Sequence, residues 1–230
     1  MKYEVILFDA DDTLFDFKKS EREAFKNTIL EFNIHYDENY HLKIYHDINT
    51  AIWKEFEHGL ITQEKLKVER FKRFADKLKI YFNEVEFAKS YIKNLSKCSF
   101  LFDGSLELIK SLNKNYKLSI ITNGLTAVQE NRIKKSVIAK YFEEVVISEE
   151  ISISKPNPEI FEHALKNIHH TNKNTVLMVG DSLTSDIQGG INFGIDTCWY
   201  NPNKLENNSK ITPNYEISNF EELEHLLLNY

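Results

Sequence analysis

Hydrophobic positions along the 230-residue chain follow two different rhythms. Near the N-terminus "VILF" (Val5–Phe8) is apolar at every position, which predicts a short strand buried on both faces. Helical spacing then takes over. Ser20 and Glu23 read as a capping box ahead of Phe25, Ile29 and Phe32. Tyr40, Ile44, Ile48 and Ile52 recur one helical turn apart, Thr62 can cap a helix carrying Leu66, Phe71, Phe74 and Leu78, and Phe87, Tyr91 and Leu95 mark another. These segments predict four amphipathic helices whose aromatic residues form a bundle core. From Asp103 onward, short apolar runs alternate with helical stretches: "KLSIIT" (Lys117–Thr122), "EVVIS" (Glu144–Ser148), "TVLMVG" (Thr175–Gly180) and "DTCWY" (Asp196–Tyr200). That alternation predicts an α/β fold with a doubly wound parallel sheet. A last helix is expected behind Ser218 and Glu221, and "NPNKLENNSK" (Asn201–Lys210) reads as an exposed loop. The expected organisation is an α/β core from residues 1–16 and 98–230, with a helical-bundle cap of residues 17–97 inserted after the first strand.

Composition narrows the class. With 42% hydrophobic and 28% charged residues the chain suits a globular protein with a sizeable core. The apolar run Val5–Phe8 is too short for a signal-peptide core or a membrane span, so a cytoplasmic protein without membrane attachment is expected. A net charge of −6 argues against a nucleic-acid polymer as partner, since phosphate backbones are bound by basic faces. Cys98 and Cys198 have no metal-binding spacing and read as buried structural thiols.

Candidate chemistry collects where the strands end. In an open parallel sheet, ligands bind beyond the carboxyl ends of the strands. The first strand runs into "FDADDT", with Asp9, Asp11 and Asp12; the second ends in Thr122, Asn123 and Gly124; the third leads to Lys155, Pro156 and Pro158; the fourth reaches Asp181, with Asp186 five residues on. Each has a plainer reading: the acids as a solvated turn, Thr122 and Asp181 as helix caps, Lys155 as a surface lysine. Their common rim and the matched cation favour a site. Two carboxylates about 4 Å apart repel by roughly 4 kcal/mol at an effective dielectric near 20, which calls for a cation among them.

In order along the chain, "DADDT", "TNG", "KPNPEIF" and "GDSLTSD" resemble the four motifs of the haloacid dehalogenase superfamily. The resemblance spans residues 5–200, with the helical block where that family inserts its smaller cap. "DADDTLFDF" with "GDSLTSDIQGGINFGIDTCWYNP" is most similar to the bacterial pyrimidine 5′-nucleotidase branch.

What the resemblance implies is a Mg²⁺-dependent phosphomonoester hydrolase acting on small-molecule phosphate monoesters, by preference nucleoside 5′-monophosphates. Asp9 would be the nucleophile, forming an aspartyl phosphate. Asp11 would protonate the leaving alkoxide and then deprotonate water. Mg²⁺ would sit on Asp9, Asp181 and the backbone carbonyl of Asp11. Thr122 and the Asn123 N–H would hold phosphate oxygens at a helix N-terminus, Lys155 would offset charge, and Asp186 would support Lys155 or a metal-bound water. A phosphomutase, a sugar-phosphate phosphatase or a phosphoglycolate phosphatase would share these core residues. A dehalogenase would lack Asp11, and a signalling receiver would lack the helical insertion. Specificity is expected from the cap, where Tyr45, Trp53 and Phe56 are either bundle core or stacking partners for a base.

Overall fold

The computed structural model describes residues 2–228. The chain divides into two compact units, one of Met1–Phe17 with Ser99–Tyr230 and one of Lys18–Cys98.

The first unit is built on six parallel strands, β1 (Val5–Phe8), β2 (Lys117–Thr122), β3 (Glu144–Ile147), β4 (Val176–Gly180), β5 (Asp196–Tyr200) and β6 (Tyr215–Ile217). They lie in the order β3-β2-β1-β4-β5-β6. β1 therefore sits at the point where the winding direction reverses, pairing Phe8 with Ile120 of β2 on one side and with Val179 of β4 on the other. Alternate residues serve opposite faces of this sheet. Ile6, Phe8, Leu118, Ile120, Leu177 and Val179 enter one buried cluster, while Val5, Leu7, Ile121, Val176 and Met178 enter the other. With both of their faces covered, β1 and β4 have no polar side, which is why they read as continuous apolar runs. Each such side chain contributes about 1.5–3 kcal/mol by leaving water.

The helical unit contains the greater part of α1 (Phe17–Glu31) together with α2 (Lys43–Glu57), α3 (Gln63–Leu78) and α4 (Glu84–Leu95). Phe25 stacks on Tyr45 at 4.3 Å between centroids and meets Phe74 edge-on at 5.2 Å. Tyr45 is thus bundle core. Trp53 and Phe56 are half-buried and pack edge-to-face on each other at 5.7 Å. Thr62 caps α3 by accepting from the Lys65 N–H, as its sequence position predicts.

Two details of this unit differ from the pattern reading. Ser20 lies buried inside α1, which already begins at Phe17, and so is not its cap. The buried face of α2 is Tyr45, Asn49 and Ile52, with Ile44 and Ile48 only half-buried and Tyr40 exposed. Asn49 sits inward because it is satisfied by polar partners: its amide donates to the Glu21 carboxylate at 2.7 Å and its oxygen accepts from Arg70 at 3.2 Å. A polar residue so paired can replace an apolar one, and apolar periodicity then misplaces the stripe by one position.

Among the described residues, six α-helices follow in the α/β unit: α5 (Ser105–Leu112), α6 (Thr126–Arg132), α7 (Ser148–Ile151), α8 (Pro158–Asn167), α9 (Gln188–Phe193) and α10 (Phe220–Leu228). Leu112 and Ile109 of α5 with Leu223 and Leu227 of α10 join the first cluster, and Phe161, Ala164 and Leu165 of α8 with Phe193 of α9 join the second. Ser148 opens α7 and does not extend β3. Ahead of α10 the reciprocal partner of Ser218 is Glu222, whose carboxylate accepts from both the backbone N–H and the hydroxyl of Ser218, and not Glu221. Cys98 and Cys198 are both buried thiols outside any disulfide. Among the described residues, no helix is long and apolar enough to cross a membrane.

Candidate active site

β1 delivers Asp9 to the carboxyl edge of the sheet while its backbone still belongs to the ladder, donating to the Val179 carbonyl at 2.9 Å. Immediately afterwards the chain folds back on itself. The N–H groups of Leu14 and Phe15 both donate to the Ala10 carbonyl at 2.9 Å, and the Asp12 N–H donates to the Phe15 carbonyl at 2.8 Å. Asp12 takes the left-handed conformation this turn requires (φ 62°), one that aspartate tolerates better than most residues.

Lys155 crosses to Asp9 from the loop after α7. Its side chain is 1% exposed, and its ammonium reaches Asp9 Oδ1 at 2.6 Å and Asp186 Oδ1 at 2.7 Å, while donating to the Ile121 carbonyl at 2.6 Å. Three acceptors satisfy the three donors of the buried cation. Asn123 fixes the main chain of Lys155 from two directions. Its Oδ1 accepts from the Lys155 N–H at 2.8 Å and its Nδ2 donates to the Lys155 carbonyl at 2.9 Å.

Asp181 follows β4. Its N–H donates to the Thr13 hydroxyl at 3.1 Å, and the Trp199 indole donates to its carbonyl at 2.8 Å, so both sides of its peptide are tied down. Asp186 accepts from the Ser182 N–H at 2.9 Å through its second oxygen. The helix that follows is capped by Ser182 and not by Asp181. Thr122 is likewise no helix cap, since Leu125 precedes α6. The Thr122 hydroxyl accepts from the Gly124 N–H at 3.2 Å. At the start of α6 the Thr126 N–H is already taken by the Glu149 carboxylate at 2.7 Å, so that helix end has less to offer an anion than its sequence position suggests.

Carboxylate oxygens of Asp9, Asp181 and Asp186 lie within 4.8 Å of one another. Burial pushes the Asp9 carboxyl up to about 7; Lys155 works against this, and the charges of Asp186 and Asp11 work with it. Burial, and then the charge of Asp9, hold Asp181 well above the usual carboxylate range. Burial alone would lower the Lys155 ammonium, but Asp186 and Asp9 outweigh it and raise it above the ordinary lysine value. One ammonium therefore leaves Asp9 and Asp181 under-compensated, and a set of hard oxygen donors in this condition fits a divalent cation. The Asp11 carboxylate stands outside this cluster, paired with Arg132 at 2.7 Å. Asp186, expected to support Lys155 or a metal-bound water, contacts Lys155 and also lies within the acidic cluster.

The sequence profile of the haloacid dehalogenase-like hydrolases matches residues 6–200. The chain belongs to this family. The pyrimidine 5′-nucleotidase YjjG of Escherichia coli is 34% identical over 230 residues, 100% of both chains. The pyrimidine 5′-nucleotidase PynA of Streptococcus pneumoniae is 36% identical, over 97% of this chain and 94% of that protein. The magnesium-bound crystal structure of YfnB from Bacillus subtilis superposes with a TM-score of 0.93 at 33% identity, covering 99% of each chain.

In this haloacid dehalogenase-like hydrolase three residues to which the sequence analysis gave no role, Thr13 of "DADDT" among them, contact the candidate site residues. Thr13 receives the Asp181 N–H, and Gln129 and Arg132 hold the two oxygens of Asp11. The available signal was their spacing: Gln129 and Arg132 stand three apart on the helix after "TNG", hence on one face.

Close packing also explains why the hydrolase has Gly180 at the end of β4. A Cβ there would lie 2.3 Å from Asp186 Oδ2 and 2.5 Å from its Cγ. Asp186 cannot swing away without abandoning Lys155 and the Ser182 N–H. Gly180→Ala is expected to cost about 1–3 kcal/mol, as overpacking of a rigid site does. A lowered urea midpoint is the expected reading, and an unchanged one would mean that Asp186 shifts freely.

Proposed function

We propose that this hydrolase is a Mg²⁺-dependent 5′-nucleotidase that cleaves nucleoside monophosphates through an aspartyl phosphate on Asp9. The observation that carries the substrate class is the end-to-end likeness to two pyrimidine 5′-nucleotidases, at 34% and 36% identity. The chemistry is supported by the disposition of the side chains.

Asp9 attacks phosphorus as the ester P–O bond breaks, and the departing alkoxide takes a proton from Asp11. Water then attacks the phosphorus of the aspartyl phosphate, Asp11 accepts its proton, and inorganic phosphate leaves with Asp9 restored. Lys155, held at Asp9 Oδ1, keeps one oxygen of the nucleophile oriented and offsets charge as the dianionic phosphoryl group approaches. Thr122 and the Asn123 N–H are the donors assigned to phosphoryl oxygens, and Asn123 also sets where Lys155 can stand. Asp9, Asp181 and the Asp11 carbonyl would hold Mg²⁺, with Asp186 engaged on Lys155. When bound, the cation neutralises phosphoryl charge and lets the carboxylate approach.

These groups address the phosphoryl group alone, so the preference for one ester over another must come from other residues. The test is kcat/KM for uridine and thymidine 5′-monophosphates against sugar phosphates and phosphoglycolate. Nucleotides are expected to lead by tenfold or more, about 1.4 kcal/mol of transition-state preference. A sugar phosphate leading by that margin would overturn the nucleotidase reading and leave the phosphatase chemistry standing.

A further inference from the structure

We propose that Gln129 and Arg132 are positioning residues that fix the carboxylate of Asp11; the inference rests on the reading of Asp11 as the acid and base. Arg132 has a fully buried side chain, 0% exposed, and its partner Asp11 is 24% exposed. A guanidinium is taken out of water only against strong compensation. Here Nη1 donates to Asp11 Oδ1 at 2.7 Å and to Gln129 Oε1 at 3.1 Å, and the charged end lies 5.9 Å from the Phe15 ring centroid and 5.4 Å from that of Phe17. Gln129 closes the triangle. Its Nε2 donates to Asp11 Oδ2 at 2.7 Å and to the Thr122 hydroxyl at 3.3 Å.

Both oxygens of Asp11 are thus held from one face of α6, and the same amide ties them to the threonine assigned to the phosphoryl group. Room for this amide is made by Gly124, where a Cβ would fall 2.3 Å from Gln129 Nε2. The backbone of Arg132 is anchored separately, its carbonyl accepting from the Ser99 hydroxyl at 2.7 Å. An arginine serving packing alone has no need to reach a partly exposed carboxylate two residues from Asp9. This one donates to Asp11 Oδ1 at 2.7 Å, and Gln129 donates to the other oxygen of the same group at the same distance.

The experiment compares an alkyl ester, the best nucleotide of the substrate panel, with p-nitrophenyl phosphate, whose leaving group departs without a proton. Gln129→Leu is expected to lower kcat on the nucleotide at least tenfold, to change p-nitrophenyl phosphate less than threefold, and to leave KM for both within threefold. Arg132→Met is expected to show the same split, with Arg132→Lys recovering part of it. Asp11→Asn is measured alongside, alone and combined with Gln129→Leu. If Gln129 acts through Asp11, the double variant loses no more than Asp11→Asn alone. Equal losses on both substrates, or a nucleotide kcat at the wild-type value, would overturn the inference. A leaving-group split in Asp11→Asn but not in Gln129→Leu would overturn the positioning role and keep the acid–base reading. No split in Asp11→Asn would reject that reading itself. Should the arginine variants fail to fold, the Gln129 series decides.

Discussion

Asp9→Asn is expected to lower turnover of every phosphate monoester by about 10⁴-fold or more, the scale on which removal of a nucleophile acts in other hydrolases. The carboxamide is nearly isosteric and can still accept from Lys155 through its oxygen, so the 2.6 Å contact has a substitute. What disappears is the nucleophile: an amide oxygen does not form a stable acyl phosphate. The stability change should be small and of either sign, because the substitution removes one of two carboxylates facing Lys155 and also relieves repulsion with Asp181. Phosphate release together with a melting curve separates loss of chemistry from loss of fold. A folded variant that keeps more than about a hundredth of wild-type turnover, a deficit below roughly 2.7 kcal/mol, would remove Asp9 from the role.

Exhaustive chelation is expected to lower phosphate release by about a hundredfold or more, and added Mg²⁺ to restore it. The same cation should raise the melting temperature, since saturation at about 100 times Kd stabilises by roughly 2.7 kcal/mol. pH dependence follows from Asp9, whose carboxyl is raised to about 7 without metal. A carboxyl raised on folding binds its proton more tightly in the folded state. That contribution is fully present below the unfolded value near 3.9 and is lost as pH rises through about 7. Mg²⁺ competes with that proton, so its effect on the melting temperature should grow from about pH 5 to pH 8. Undiminished activity after chelation, or a Mg²⁺ effect that shrinks with rising pH, would speak against a cation at Asp9 and Asp181.

Some of this was legible in the sequence for clear physical reasons. The runs at Lys117–Thr122 and Asp196–Tyr200 are strands at those bounds because strands buried on both faces carry no polar alternation to blur their edges. β6 escaped notice: with three residues at the sheet edge, in the pattern half-buried, exposed, buried, Tyr215–Ile217 offers too little apolar signal. The α2 stripe was misplaced because Asn49 is buried against Glu21 and Arg70, a pairing that periodicity cannot register. At the site, Asp9 and Asp181 stand directly after apolar runs, and Lys155 stands beside prolines in the loop beyond the third run. Gln129 and Arg132 were not legible in this way, because side chains of these types on a helix most often face solvent, and only the fold turns them toward Asp11.

β1 has a further consequence through its place in the order of synthesis. It precedes both of its partner strands in the chain, pairing with β2 and β4, and the β4 partners of Val5 to Phe8 are Val176 to Val179. The backbone N–H of Asp9 finds its acceptor, the Val179 carbonyl, only when that strand exists. Lys18–Cys98, by contrast, holds its contacts within a continuous stretch and can gather them while the remainder is still being made. The residue assigned to the first chemical step is therefore translated well before Lys155 and Asp181, the distant partners that surround it.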